Sequence, residues 1–246
     1  MISLQLIPVR VVSTWTPRTS TASKPRFATC DDQLDYCIKH DEGGRPIRAN
    51  EWVCTALARA VGIAVPPAVV VEDLDKSHLF GSQLIGEDVN DNMGLFQSGA
   101  LTMEHLTHIA KTFAFDLFVC NPDRHVNQYK VHSQNRRERF FSFDFSESLF
   151  LHWPHLTLPL PPTCNTIQNL RGIQNRYGML SRIDMESVLA RLEKLDGASM
   201  VGTIKQMPPG WLKPRIAGQF LSWWASKARK TRIAEIRDGI KNGKYL

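Results

Sequence analysis

The chain has 246 residues, 43% of them hydrophobic and 22% charged. That is ordinary globular usage, enough for one sizeable core or for two closely packed lobes, and no run approaches the roughly 18 apolar residues of a membrane-spanning helix. Formal net charge is +6, yet residues 213–246 alone hold nine Lys/Arg against two acids, so the basicity is local rather than general. A solvated face on a C-terminal helix accounts for it, with contact to nucleic acid or an acidic partner as the alternative. The five cysteines, Cys30, Cys37, Cys54, Cys120 and Cys164, are scattered without a C-x-x-C pair, which argues for buried free thiols and against a disulfide framework or zinc site.

The apolar start, MISLQLIPVRVV, is interrupted by Pro8 and Arg10 and lacks a small-residue cleavage site, so it reads as a first strand rather than a signal peptide, with the cytoplasm as the expected compartment. A polar loop, STWTPRTSTASKP, leads to the strand runs RFATCDD and LDYCIKH, with a hairpin turn suggested by the Asp31-Asp32-Gln33 break. Trp52, Val53, Ala56, Leu57, Ala60 and Val61 recur at helical spacing, which predicts a helix over 50–61 with Asn50 as N-cap and Gly62 as its end. VPPAVVVE and HLFGSQLIG read as two more strands, completing a β-rich N-terminal part. After a Gly/Asn/Asp-rich connection comes a helix over 102–120, with Met103, Leu106, Ile109, Phe113, Leu117 and Cys120 on one stripe. The turn signal Asn121-Pro122 ends it, and the strands QYKVHS and RFFSFDF follow. Beyond a Pro-rich loop the chain turns helical, with helices expected over 184–195 and 216–240. The expected architecture is α+β, with a β-rich lobe over 1–86, a mainly helical lobe over 87–246 and a ligand cleft where they meet.

One constellation carries chemistry. An apolar helix ends in Asn-Pro-Asp-Arg-His, with Asp123 in the turn and the amides Asn127 and Gln128 four and five residues later; a strand reaching Asp144-Phe145-Ser146 lies about twenty residues on. Phosphoryl transfer asks for this set, because one carboxylate must orient the attacking hydroxyl while another, with an amide, holds Mg2+ against nucleotide phosphates. Asp144 also sits between Phe143 and Phe145, where an uncompensated carboxylate would cost several kcal/mol, so it needs a cation or strong donors.

On these motifs the chain resembles the HipA-like kinases over roughly residues 5–150, closest to the short HipA-related group, and more distantly the protein and phosphatidylinositol kinases. The resemblance implies a two-lobed protein-kinase-like fold using ATP and Mg2+, with Asp123 as the catalytic-loop acid and Asp144 as the principal metal ligand. It implies further that Lys39 contacts nucleotide phosphates, that Glu51 pairs with it, and that Thr19, Ser20, Thr21 and Ser23 belong to the phosphate loop. Ser82, Gln83, Leu84 and Ile85 fall where the adenine-binding hinge of the family lies. The family pattern places Asn five residues after the catalytic Asp; here that position is Gln128 and the Asn is Asn127, so either amide is a candidate second ligand.

Taken alone, Lys39 and Glu51 read as a surface lysine and a first-turn helix acid; their order relative to Asp123 and Asp144 is what makes them a set. His125 reads as a neutral residue tying its loop together, Arg124 as a partner for phosphate or carboxylate, and Trp211, Trp223 and Trp224 as packing residues. The implied function is transfer of the ATP γ-phosphoryl group to a protein Ser/Thr hydroxyl, with an antitoxin or other regulatory protein as a possible partner and no membrane. The alternatives are a catalytically weak pseudokinase serving as a binding module, and a small-molecule or lipid kinase.

Overall fold

The computed structural model describes residues 7–15, 26–85, 92–134 and 137–245. Thr19, Ser20, Thr21 and Ser23 therefore lie outside the described residues.

The N-terminal part is a five-stranded closed barrel in the order β1-β2-β3-β5-β4. Its strands are β1 (Val9–Trp15), β2 (Arg26–Cys30), β3 (Asp35–Lys39), β4 (Ala68–Glu72) and β5 (His78–Gln83). Neighbours pair antiparallel except β1 and β4, which run parallel through Val9↔Val71 and Arg10↔Glu72 and so close the sheet on itself. Alternation places Val9, Val11, Ala28, Tyr36, Ile38, Val71 and Leu79 inside as a small core. Gly81 is required there, because a Cβ would come within 2.5 Å of Val71 Cγ2. Residues 1–6 of the expected first strand lie outside the described residues, Ile7 and Pro8 precede β1, and β1 includes Ser13–Trp15 of the expected loop.

Between β3 and β4 runs α1 (Ile47–Ala60). The expectation that Asn50 caps this helix is corrected: the cap position is Pro46, which has no cap side chain, and Asp41 takes over by accepting from Arg48 N at 2.9 Å and from Arg48 Nη2 at 2.8 Å. Asn50 is instead fully buried in the helix and bonds outward to the Ser146 carbonyl and the Phe150 amide.

The remainder is mostly helical: α2 (Asn92–Ser98), α3 (Met103–Val119), α4 (Asn165–Tyr177), α5 (Arg182–Lys194), α6 (Gly197–Lys205), α7 (Pro214–Ala225) and α8 (Lys227–Lys241). One hairpin, β6 (Tyr129–Gln134) with β7 (Arg137–Ser142), follows α3. The helix predicted over 216–240 is two helices, because the Ser226 side chain accepts from Ala228 N and restarts the chain as an N-cap. α3 ends in left-handed Cys120, whose φ is 56°, just before Asn121-Pro122 as its sequence suggests; Met103, expected on its buried stripe, is exposed at the first turn.

The larger core does not stop at the barrel. Trp52, Val53, Ala56 and Leu57 of α1 share it with α3, α5, α7 and α8, and Trp52 Nε1 donates to Thr203 O across an edge-on contact with Trp211. The tryptophans are packing residues: Trp223 and Trp224 lie against Phe118 and Phe220. Part of the C-terminal basicity is structural too, since buried Arg232 donates to the carbonyls of Leu117 and Phe118 at the end of α3. All five cysteines are free, with Cys30, Cys54 and Cys120 buried. Among the described residues no helix is long and apolar enough to cross a membrane.

Candidate active site

β3 alternates so that Tyr36 and Ile38 enter the barrel while Lys39 leaves it on the side of α1. There its ammonium meets Glu51 Oε1 at 2.5 Å, Asp144 Oδ1 at 2.7 Å and Ser146 Oγ at 3.0 Å. Glu51, nearly inaccessible on α1, also accepts from Phe145 N at 3.0 Å and Ser146 Oγ at 3.1 Å. The Ser146 hydroxyl also bonds Asp144 Oδ1. Residues from the barrel, its helix and the segment after β7 thus converge on one ammonium.

Asp144 stands just beyond β7, not in the strand, at φ 65°, a left-handed conformation that Asp tolerates better than most side chains. Its segment is held from several directions. Phe143 N donates to Gln128 O, Arg124 donates to Phe143 O, and Asn50 donates to Ser146 O. Burial works against ionisation of Asp144, but the Lys39 charge and hydrogen bonds outweigh it and hold the carboxyl well below the usual range. For Glu51 burial wins over Lys39, helped by repulsion from Asp144, and its pKa is raised. Lys39 is itself raised, because the two carboxylates overcome the effect of burial. Among the described residues every hydrogen bond on Asp144 falls on Oδ1, and its side chain is 31% exposed, which leaves its other oxygen for a cation.

Arg124 lies beneath this segment. It is fully inside the molecule and forms a bidentate pair with Asp116 of α3, at 2.9 Å from Nε to Oδ2 and 3.0 Å from Nη2 to Oδ1. Its guanidinium stacks 4.9 Å from the Phe145 ring centroid. Of its two sequence readings, the carboxylate partner is the one realised.

Asp123 sits half-buried in the turn after α3, its amide donating to Asn121 Oδ1 at 3.1 Å. With Pro122, Glu147, Thr163, Cys164 and Asn165 it lines an open hollow of about 440 Å³. Of the two amides, Gln128 is buried, and its Oε1 faces His125 N at 3.4 Å and Arg124 Nη1 at 3.5 Å; Asn127 is exposed. Ser82 and Gln83 end β5, and Leu84 N donates to Asp35 O at 2.8 Å, so Ser82–Ile85 leave the barrel beside β3. Among the described residues no group of three or more His, Cys, Asp or Glu could hold a metal ion.

Lys39, Glu51 and Asp144 are therefore brought together as the sequence suggests. Ser146, Asn50 and Asp116 were missed. Asp116, a lone carboxylate in the apolar run Phe113–Val119, carried a signal, since a buried charge needs a partner; Asn50 was read as a cap.

The family model described as HipA-like kinase matches residues 11–136. No curated protein matches the sequence. Among solved structures, the Helicobacter pylori proinflammatory kinase CtkA is similar at a TM-score of 0.58 and 10% identity, covering 98% of this chain and 100% of its own. HipA of Shewanella oneidensis, solved with HipB and operator DNA, is similar at a TM-score of 0.55 and 12% identity, covering 90% of this chain and 67% of its own. At such identities the likeness concerns the fold, a mixed α/β architecture with a β-rich N-terminal and a helical C-terminal part.

Proposed function

The chain belongs to the HipA-like kinase family, and from that premise we propose that it moves the γ-phosphoryl group of ATP to a protein serine or threonine hydroxyl with Mg2+. The observation that carries this reading is the Lys39 ammonium shared between Glu51 and Asp144. In this reading residues 1–86 form the nucleotide-binding lobe and 87–246 the catalytic and helical lobe of a kinase-like fold.

Bound Mg2+-ATP would supply the phosphoryl group and the charge that neutralises its oxygens. The chain's own residues do the positioning. Lys39, steadied by Glu51, would contact the phosphates, with Thr19, Ser20, Thr21 and Ser23 as the phosphate-loop residues that the family resemblance implies and Ser82, Gln83, Leu84 and Ile85 at the base. Asp144 would be the principal cation ligand, since its Oδ1 is engaged by Lys39 and Ser146 and its other oxygen is not. Asn127 would be the second ligand rather than Gln128, whose amide is turned towards Arg124 and His125. Asp123 accepts a hydrogen bond from the acceptor hydroxyl and aims its oxygen, so that orientation and electrostatics provide most of the rate.

The HipA structure, a complex with HipB and operator DNA, supports extending the proposal to a toxin role with an antitoxin or other regulatory protein as partner. The proposed compartment is the cytoplasm. Direct nucleic-acid contact has less support, because Arg229 and Arg232 of the basic C-terminal helix are buried.

The test is incubation of the purified chain with labelled ATP and Mg2+, alone and with protein, small-molecule and lipid acceptors, beside Asp123→Ala, Asn127→Ala and Gln128→Ala. Transfer to protein that is lost in Asp123→Ala and Asn127→Ala but kept in Gln128→Ala is expected. Nucleotide binding without turnover would replace the enzyme by a pseudokinase, and label on a small molecule or lipid would change the substrate class.

A further inference from the structure

The turn that carries Asp123 is completed by a segment far along the chain and outside the family-matched residues 11–136. Thr166, in the first turn of α4, is buried and stitches itself to that turn. Its Oγ1 donates to Asn121 O at 2.6 Å and accepts from Arg124 N at 2.9 Å, while its amide donates to Pro122 O at 3.1 Å. These bonds fix the neighbouring residue, Asn165, against Asp123. Asn165 Nδ2 donates to Asp123 Oδ1 at 2.6 Å, and both residues line the same hollow.

We propose that Asn165 is a positioning residue for Asp123, its amide holding Oδ1 so that Oδ2 is presented to the acceptor hydroxyl. The proposal rests on the phosphotransferase reading above. The physical ground is a division of labour around one carboxylate. Asn121 holds the Asp123 backbone, and is itself anchored by donating to Asp116 Oδ1 at 2.9 Å. The backbone is thus tied to the buried scaffold, but the side chain keeps its own rotation, and Asn165 is the group that restrains it. Asn165 is exposed, and a solvent-facing hydrogen bond adds little net stability because water replaces it. Its contribution should therefore appear in rate, where a carboxylate misplaced by about 1 Å can cost on the order of 10²-fold.

The two roles that Asn165 could play rank its replacements in opposite orders. At the first position of a helix Asp is favoured by the dipole, so a purely structural residue would tolerate Asn165→Asp better than Asn165→Ala. For positioning, Asn165→Asp is the worse change, since it removes the donor and sets a like charge against Asp123. Steady-state transfer by the full chain, binding of a fluorescent ATP analogue and thermal melting should be measured for the wild type, both variants and Asp123→Ala. The expected result is a kcat about 10-fold lower in Asn165→Ala and about 10²-fold lower in Asn165→Asp. Analogue affinity, KM for ATP and melting temperature should stay at wild-type values. If Asp123→Ala is inactive while both Asn165 variants keep the wild-type kcat, or if Asn165→Asp outperforms Asn165→Ala, the Asn165 assignment is overturned and the kinase reading stands. A wild type without turnover, or an Asp123→Ala variant at full rate, overturns the reading on which it rests.

Discussion

Two charged clusters meet on the segment Phe143–Ser146 and are built to opposite ends. Around Asp116 one guanidinium faces one carboxylate, the pair is neutral, and both carboxylate oxygens are used, with Asn121 supplying a further donor. Aromatic rings of Tyr129 and Phe145 pack over Arg124. Around Lys39 one ammonium is shared by two carboxyl groups, Glu51, whose pKa burial raises, and Asp144, whose side chain remains partly exposed. The closed cluster joins α3 to the hairpin and the segment behind Asp144; the open one gathers charge at a surface that a ligand can reach. Saturation marks scaffold, and an ionised carboxylate with an accessible oxygen marks a place where a cation can bind.

The largest effect should come from breaking the closed cluster. Arg124→Ala leaves Asp116 buried without its cation, which costs about 3–5 kcal/mol; chemical denaturation should show that loss, and activity should fall with the folded population. Breaking the open cluster should do the reverse. Asp144→Asn keeps shape and removes one of two crowded carboxylates, so melting should move by no more than about 2–4 °C. Phosphoryl transfer should drop by at least about 10²-fold. A destabilised Asp144→Asn that retained turnover would show that the two clusters had been assigned the wrong way round.

His108 sharpens the comparison as a group buried without any charge. Burial pushes its pKa down to about 3, with Arg124 and Lys111 adding to the effect, and its Nε2 lies 2.8 Å from Ser142 Oγ. As pH falls below about 6.5 the unfolded chain takes up a proton there that the folded chain refuses until about pH 3. Stability from this group is thus full above pH 6.5 and declines by about 1.4 kcal/mol per unit below it. Denaturation of wild type and His108→Gln at pH 7 and pH 5 should give the smaller loss in the variant; equal losses would mean that His108 titrates normally.

Much of this was legible before any fold was known. The order of Lys39, Glu51, Asp123 and Asp144 suggested a kinase-like set; the expected pairing of Lys39 with Glu51 is formed, and Asp144 has in Lys39 the cation partner that its apolar flanks call for. The helix over 102–120 and its stop at Asn121-Pro122 followed from local rules, because capping and turn preferences act within a few residues. Where two local rules competed, the reading failed: periodicity ran through Ser226, whose side-chain cap divides α7 from α8, and Asn50 had the chemistry of a cap but was needed inside.

By itself, then, the amino-acid sequence determined which residues carry charge, which faces are apolar and where the chain turns, since those properties belong to single residues and near neighbours. Only the tertiary structure decided that β1 closes the barrel on β4, that Gln128 rather than Asn127 is buried beside Arg124, and that Asn165 reaches Asp123. Each of these depends on hydrogen bonds and Coulomb forces that act over a few ångströms between residues that the chain's path brings together.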